Sequence, residues 1–217
     1  DAAKGPAAKE VRTICTHCSV GCGVIAEVKN GVWTGQEPAF DHPFNLGAHC
    51  AKGAALREHG HGERRLKYPT KLVNGKWQKV SWDEAINEIG DKLLKIRDES
   101  SPDSVYWLGS AKFNNEQAYL YRKFAAMWGT NNVDHCTRLC HASSVAALME
   151  GVNSGAVTTP FTAAMDADCI IVIGARPAQN HPVAATYLKQ AAKRGAKLVV
   201  MDPRNQGLGR HATYQLN

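Results

Sequence analysis

Three cysteines crowd into Cys15-Thr16-His17-Cys18-Ser19-Val20-Gly21-Cys22, and a fourth follows in Cys50-Ala51-Lys52-Gly53. The spacing, C-x2-C-x3-C-x27-C, supplies the four thiols that a 4Fe-4S cubane or a tetrahedral zinc needs. A chain that must gather these thiols folds its N-terminal region around a metal. Zinc ribbons offer two separated C-x2-C knuckles, whereas here three thiols are adjacent and the fourth arrives alone. The pattern therefore reads as a 4Fe-4S site at Cys15, Cys18, Cys22 and Cys50. A disulfide framework is the competing reading. Seven cysteines is an odd count, and a chain of 217 residues does not need covalent staples.

Composition narrows the classes. With 44% hydrophobic and 21% charged residues the chain is of ordinary globular type. No apolar run approaches the ~20 residues that span a bilayer, so no direct membrane span is expected. The formal net charge is +6. Its basic residues are scattered in pairs such as Arg64-Arg65 and Lys193-Arg194, which argues for a solvated surface and against a nucleic-acid partner. The start at Asp1, without methionine, suggests a processed or trimmed N-terminus, and no signal peptide can be read there.

Along the chain, residues 1–10 are small, polar and aperiodic, as in a loose arm. From Val11 the cysteine segment begins, followed by a hairpin from Val24 to Trp33 with its turn at Asn30-Gly31. Residues 37–46 form a loop that delivers Cys50. A second hairpin turn is expected at Asn74-Gly75. Ser81-Trp82-Asp83-Glu84 has the form of a capping box, and Ile86, Ile89, Leu93 and Leu94 continue a helix with one apolar face turned inward. A short strand over 104–108 ends at Gly109. A helix over 116–128 is expected to bury Leu120, Phe124 and Met127 and to stop at Gly129. The runs 169–173 and 197–202 read as fully buried strands joined by a helix over 183–194, a βαβ unit with Gly174 and Asp202 at its carboxyl ends. Trp107, Trp128 and Tyr121 read as core. His42, His49, His59 and His61 read as ordinary loop histidines, with a metal patch as the alternative.

Cys140-His141 follows a polar stretch and precedes a helix expected over 142–150. A thiol at a helix N-terminus beside Arg138 and His141 has its thiolate favoured, as a nucleophile or metal ligand requires. The alternative is an inert buried thiol.

Several segments stand in a telling order. They are the four-cysteine motif, Cys50-Ala51-Lys52-Gly53, Arg65-Leu66-Lys67-Tyr68-Pro69, Ser81-Trp82-Asp83-Glu84-Ala85, Asn115-Glu116, Cys136-Thr137-Arg138-Leu139-Cys140-His141, His181-Pro182 and Asp202-Pro203-Arg204. In this order the chain resembles the molybdopterin oxidoreductases, and within them the catalytic (alpha) subunit of formate dehydrogenase. The resemblance implies an α/β fold: a small β-rich 4Fe-4S module over 11–66, then over 67–217 part of a doubly wound αβα domain. It implies that Cys15, Cys18, Cys22 and Cys50 hold the cluster and that Lys52 couples it to a pterin. Cys140 would ligate molybdenum or tungsten, and His141 would handle the substrate proton. Gly174, His181, Pro182, Asp202 and Arg204 would line the site for one of two molybdopterin guanine dinucleotides.

The implied reaction is oxidation of formate to carbon dioxide, with electrons leaving through the cluster to a partner iron-sulfur subunit. A periplasmic-type nitrate reductase is the nearest rival, and a non-catalytic iron-sulfur subunit lacking the pterin is a rival of another class. The chain departs from the family pattern at Ala175-Arg176-Pro177, where an asparagine usually precedes the proline, which puts a cofactor contact at Arg176 in doubt. Relatives are several times longer, so the chain is expected to be an N-terminal piece that works with the rest of a catalytic subunit. Similarity to exported formate dehydrogenases points to the periplasm, with the cytoplasm as the alternative.

Overall fold

The computed structural model describes residues 8–217. Most of the arm expected over 1–10 lies outside them, but at Lys9 the chain is already in a strand. β1 (Lys9–Ile14), β2 (Gly23–Lys29) and β3 (Val32–Pro38) form an antiparallel sheet in that order, with Lys9 opposite Val28 and Ile14 opposite Gly23. The expected hairpin is present: Asn30 and Gly31 have φ of 52° and 77°, the left-handed pair that a two-residue turn between twisted strands requires. Val24 and Ala26 point into the core while Ile25 is only half-buried, so one face of β2 carries the packing. The loop after β3 ends in two short helices, α1 (Ala51–Ala54) and α2 (Leu56–His61).

Two compact units result: residues up to Arg65 join Thr158–Asn217, and Leu66–Val157 form the second. The second opens with the hairpin β4 (Thr70–Val73) and β5 (Lys76–Lys79), turned at Asn74 and Gly75 with φ of 50° and 75°. α3 (Trp82–Glu99) starts at Ser81, whose side chain accepts from the Glu84 amide. Its expected inward face is not buried: Ile86 and Ile89 are more than half exposed, and no residue of α3 is buried. This unit's two small sheets offer no broad surface against which an apolar stripe could pack.

β6 (Trp107–Gly109) starts later than expected, because Pro102 opens a 3-10 turn over Pro102–Ser104. α4 (Asn115–Trp128) ends as expected at Gly129, with φ of 103°. The buried face differs from the expected one. Leu120, Phe124 and Met127 are exposed, while Ala125 and Trp128 are buried. The stripe that packs is Tyr121, Ala125 and Trp128, spaced i, i+4, i+7, and the Trp107 ring sits edge-on to Tyr121, Phe124 and Trp128. β7 (Val133–His135) pairs in parallel with β6. Three residues with one apolar side chain carry no strand pattern, so β7 was not legible in the sequence. α5 (Thr137–Cys140) and α6 (Ala142–Val152) complete the unit.

Back in the first unit, β8 (Cys169–Ile173), α7 (Pro177–Asn180), α8 (Pro182–Arg194), β9 (Lys197–Met201) and β10 (Tyr214–Leu216) build a parallel sheet in the order β10-β9-β8. The βαβ unit is present, but its strands are not fully buried. Leu198 and Val200 are inaccessible, whereas Ile171 and Ile173 are 62% and 69% exposed. A strand alternates its side chains, and α8 covers one face only. α8 itself has two working faces: Ala185 packs on the sheet with Val172, Leu198 and Val200, while Val183, Ala184 and Tyr187 pack against Cys15, Cys22, Val24 and Leu56. The helix thus stands between two core clusters, one shared with the cysteine module and one with the parallel sheet.

Candidate functional site

The first site is the group of four thiols. Cys15 ends the rise of β1 and Cys22 precedes β2, so the sheet sets both, and the Cys15 amide donates to the Cys22 carbonyl at 2.8 Å. Between them the chain turns back on itself through Gly21, φ 64°, whose amide donates to the Cys18 carbonyl. Cys15 and Cys22 are buried, and Cys18 and Cys50 are half-buried. Burial pushes the Cys22 thiol up to about 11, and the neighbouring Cys15, Cys18 and Cys50 push it the same way. A thiol raised by burial and by three neighbouring thiols sits in a site short of positive charge. All seven cysteines are thiols, so the disulfide framework is absent.

Soft thiolates suit iron-sulfur chemistry. Among the described residues no three His, Cys, Asp or Glu side chains take the arrangement a single metal ion needs. A cubane asks for a different one, because each thiolate meets its own iron.

The loop that delivers Cys50 is held by residues the sequence reading did not single out. Asn45, with no exposed surface, accepts from the Gly23 amide at 2.9 Å and donates to the carbonyls of Gly23 and Ala48. It ties the start of β2, next to Cys22, to the approach of Cys50. Gln36 on β3 donates to the Gly53 carbonyl and accepts from the Arg57 amide, fixing α1 and α2. Lys52 donates from Nζ to the Gln179 carbonyl at 3.3 Å. Buried Tyr187 has its phenol raised, first by burial and then by the nearby Cys22. None of these contacts has a local signature.

The second site surrounds Cys140. This thiol does not open a helix, as expected, but closes the four-residue α5, and His141 is the cap of α6. Both residues are exposed. Cys140 lines a cavity of about 540 Å³ with Tyr106, Leu108, His135 and Cys136. Arg138, expected to favour the thiolate, is engaged by Asp134 through Nε at 3.1 Å; the His135 amide first, and then this pairing, hold the Asp134 carboxyl below its usual range. Cys136, one turn before Cys140, accepts from the Ala111 amide at 3.2 Å. The sequence had it only as part of a motif.

The third site lies at the carboxyl ends of β8 and β9. Gly174, Arg176, Asn180, His181, Asp202 and Arg204 line a cavity of about 480 Å³, so four of the five residues expected here come together. Pro182 instead opens α8 as its first residue. Asp202 is buried, and its carboxylate accepts from the Arg204 amide at 2.9 Å and from Gln206 Nε2 at 3.1 Å. Gln206 also donates to the Ala175 carbonyl, closing the floor of the cavity. Arg176, whose role the departure from the family pattern put in doubt, is in the lining, and its Nε is buried without a partner among the described residues. Two arginines and a glycine with φ of 59° form a cationic crevice with close access to backbone.

Comparison with known proteins identifies the family. Residues 65–216 match the family model described as molybdopterin oxidoreductase, and residues 8–62 match the molybdopterin oxidoreductase Fe4S4 domain. The chain is 40% identical over 207 residues to the F420-dependent formate dehydrogenase 1 subunit alpha of Methanococcus maripaludis, covering 95% of the chain and 30% of that protein. It is 36% identical over 197 residues to the F420-dependent formate dehydrogenase subunit alpha of Methanocaldococcus jannaschii, covering 90% of the chain and 28% of that protein. Among solved structures it is similar to acetylene hydratase from Pelobacter acetylenicus, with a TM-score of 0.74 and 27% identity over 95% of the chain and 29% of that protein. The chain thus spans about 30% of the length of these two relatives. With four clustered thiols, a βαβ crevice and a family model matching most of its length, the chain belongs to the molybdopterin oxidoreductases.

Proposed function

We propose that the chain is part of the catalytic subunit of a formate dehydrogenase, which converts formate to carbon dioxide, a proton and two electrons. Cys140 carries this reading: an exposed thiol followed by a histidine, lining a cavity, in a chain like formate dehydrogenase alpha subunits along 95% of its length. Cys15, Cys18, Cys22 and Cys50 hold a 4Fe-4S cluster, and Lys52 couples it to the pterin. Cys140 ligates molybdenum or tungsten, since a soft thiolate suits such a metal. When bound, the metal centre supplies the two-electron chemistry and the cluster supplies the exit for electrons. The His141 imidazole takes the proton released from formate. The crevice of Gly174, Arg176, His181, Asp202 and Arg204, with Pro182 starting the helix behind it, binds one molybdopterin guanine dinucleotide, its arginines offsetting phosphate charge. An iron-sulfur subunit receives the electrons, and the periplasm is the proposed compartment, testable by fractionation.

In the full-length protein, Cys140→Ala should abolish formate oxidation and disturb metal ligation while the visible spectrum of the cluster persists. Unchanged formate-dependent dye reduction would sink the assignment of Cys140. Nitrate-dependent dye oxidation without formate activity would favour the nitrate reductase reading, and a purified protein free of molybdenum and tungsten would favour the non-catalytic one.

A further inference from the structure

His49 immediately precedes Cys50, and its Nε2 is buried with no hydrogen-bond partner among the described residues. A buried imidazole nitrogen without a partner is a costly arrangement in a folded chain. Its surroundings indicate where the partner lies. A Cβ built on Gly53, the one buried residue of α1, would stand 3.7 Å from the His49 ring and 3.9 Å from the Cys15 sulfur. Imidazole and thiol therefore flank the same bare glycine, which the ring meets with its Cγ–Cδ2 edge, and Cδ2 is bonded to Nε2. The position is held from both sides: the Ala48 amide and carbonyl are bonded to Asn45, and Cys50 caps α1.

The histidine is thus held in place, with its Nε2 shielded from solvent and its ring against the same glycine as the Cys15 sulfur. The other histidine in the cysteine motif differs, for the His17 ring packs edge-on against His59.

We propose that His49 is a positioning residue of the cluster site, donating a hydrogen bond from Nε2–H to a sulfur of the bound cluster without ligating iron. This rests on the reading that Cys15, Cys18, Cys22 and Cys50 hold a 4Fe-4S cluster. Reduction adds negative charge to the cluster, and a donor aimed at sulfur stabilises that charge more in the reduced state than in the oxidised one. The bond therefore raises the reduction potential and makes the cluster a better acceptor of each electron. Gly53 keeps the space between ring and sulfur open, since a larger residue would place atoms beside both.

The test uses the full chain reconstituted with ferrous iron and sulfide and titrated with dithionite. Iron and sulfide are assayed first, and an unmodified chain that takes up neither overturns the cluster reading itself along with this proposal. With a full complement bound, His49→Phe should shift the midpoint potential to a more negative value, and His49→Gln, which keeps a donor, should recover part of the shift. The iron–sulfur stretching frequencies of the unmodified chain should change in deuterium oxide, and this sensitivity should weaken in His49→Phe. An unchanged potential and unchanged deuterium sensitivity with iron retained overturn the proposal and leave the cluster reading standing. Should His49→Phe hold no iron, pulsed EPR on the reduced, 15N-histidine-labelled unmodified chain decides. A weak nitrogen coupling absent from His49→Gln supports the proposal. No coupling, or a strong one from direct ligation, overturns it.

Discussion

The Tyr187 hydroxyl, on α8, donates to the backbone carbonyl of Phe44 at 2.6 Å. A helix that seals a parallel sheet on one side thereby grips, on the other, the loop that carries Cys50. Tyr187→Phe removes the donor and leaves the Phe44 carbonyl unpaired, a loss of about 1 kcal/mol. The expected result is a melting midpoint lower by about 3 °C in the metal-free chain, with slower iron uptake. An unchanged midpoint and unchanged uptake would place the loop under other control.

Asn45 is the stronger test of the same loop. It has no exposed surface and makes three hydrogen bonds, so Asn45→Leu strips partners from the Gly23 amide and from two carbonyls together. The expected loss is on the order of 3 kcal/mol, read by urea unfolding, along with reduced iron content after reconstitution. A loss below about 1 kcal/mol would mean that water replaces the amide.

The start of α4, in the other unit from the cluster motif, offers a local control. Asn114 accepts from the Gln117 amide at 2.8 Å, and the Gln117 side chain accepts from the Asn114 amide at 3.1 Å, a complete reciprocal cap. Asn114→Ala should lower the stability of this unit by about 1 kcal/mol. Urea unfolding followed by helical circular dichroism measures it, and iron uptake should be unaffected.

Glu88 supplies the pH dependence. Lys71 at 2.6 Å and Lys92 at 2.7 Å hold its carboxyl down to about 2, from an ordinary value of 4.5. Because the folded value is the lower one, this contribution to stability is present above about pH 4.5 and is lost as pH falls toward 2. Glu88→Gln should flatten that part of the pH profile, and high salt should shrink the difference, since the pair is exposed to solvent. Identical acid profiles for the two proteins would remove Glu88 as a contributor.

What the sequence determined by itself is what depends on neighbours along the chain. Asn30-Gly31 and Asn74-Gly75 require left-handed backbone, Gly129 ends a helix, and the cysteine spacing demands a metal-sized gathering of thiols, all without reference to distant residues. Gly174 and Asp202 were legible together because strand ends in a βαβ unit face one crevice, and His181 and Arg204 joined them only through the family resemblance. The face that α4 buries was not legible, since Leu120 and Phe124 suit a helical stripe as well as Ala125 and Trp128 do, and only the way the helix is laid against the rest of its unit selects between them. Nor were the exposure of Ile171 and Ile173, the three bonds of Asn45, or the orphan nitrogen of His49. These depend on which segment is laid over which, a non-local outcome of packing that no periodicity encodes. The cysteines announce a metal site from their spacing alone, while the contacts that hold the loop before Cys50 exist only once β2 and α8 have been laid against it.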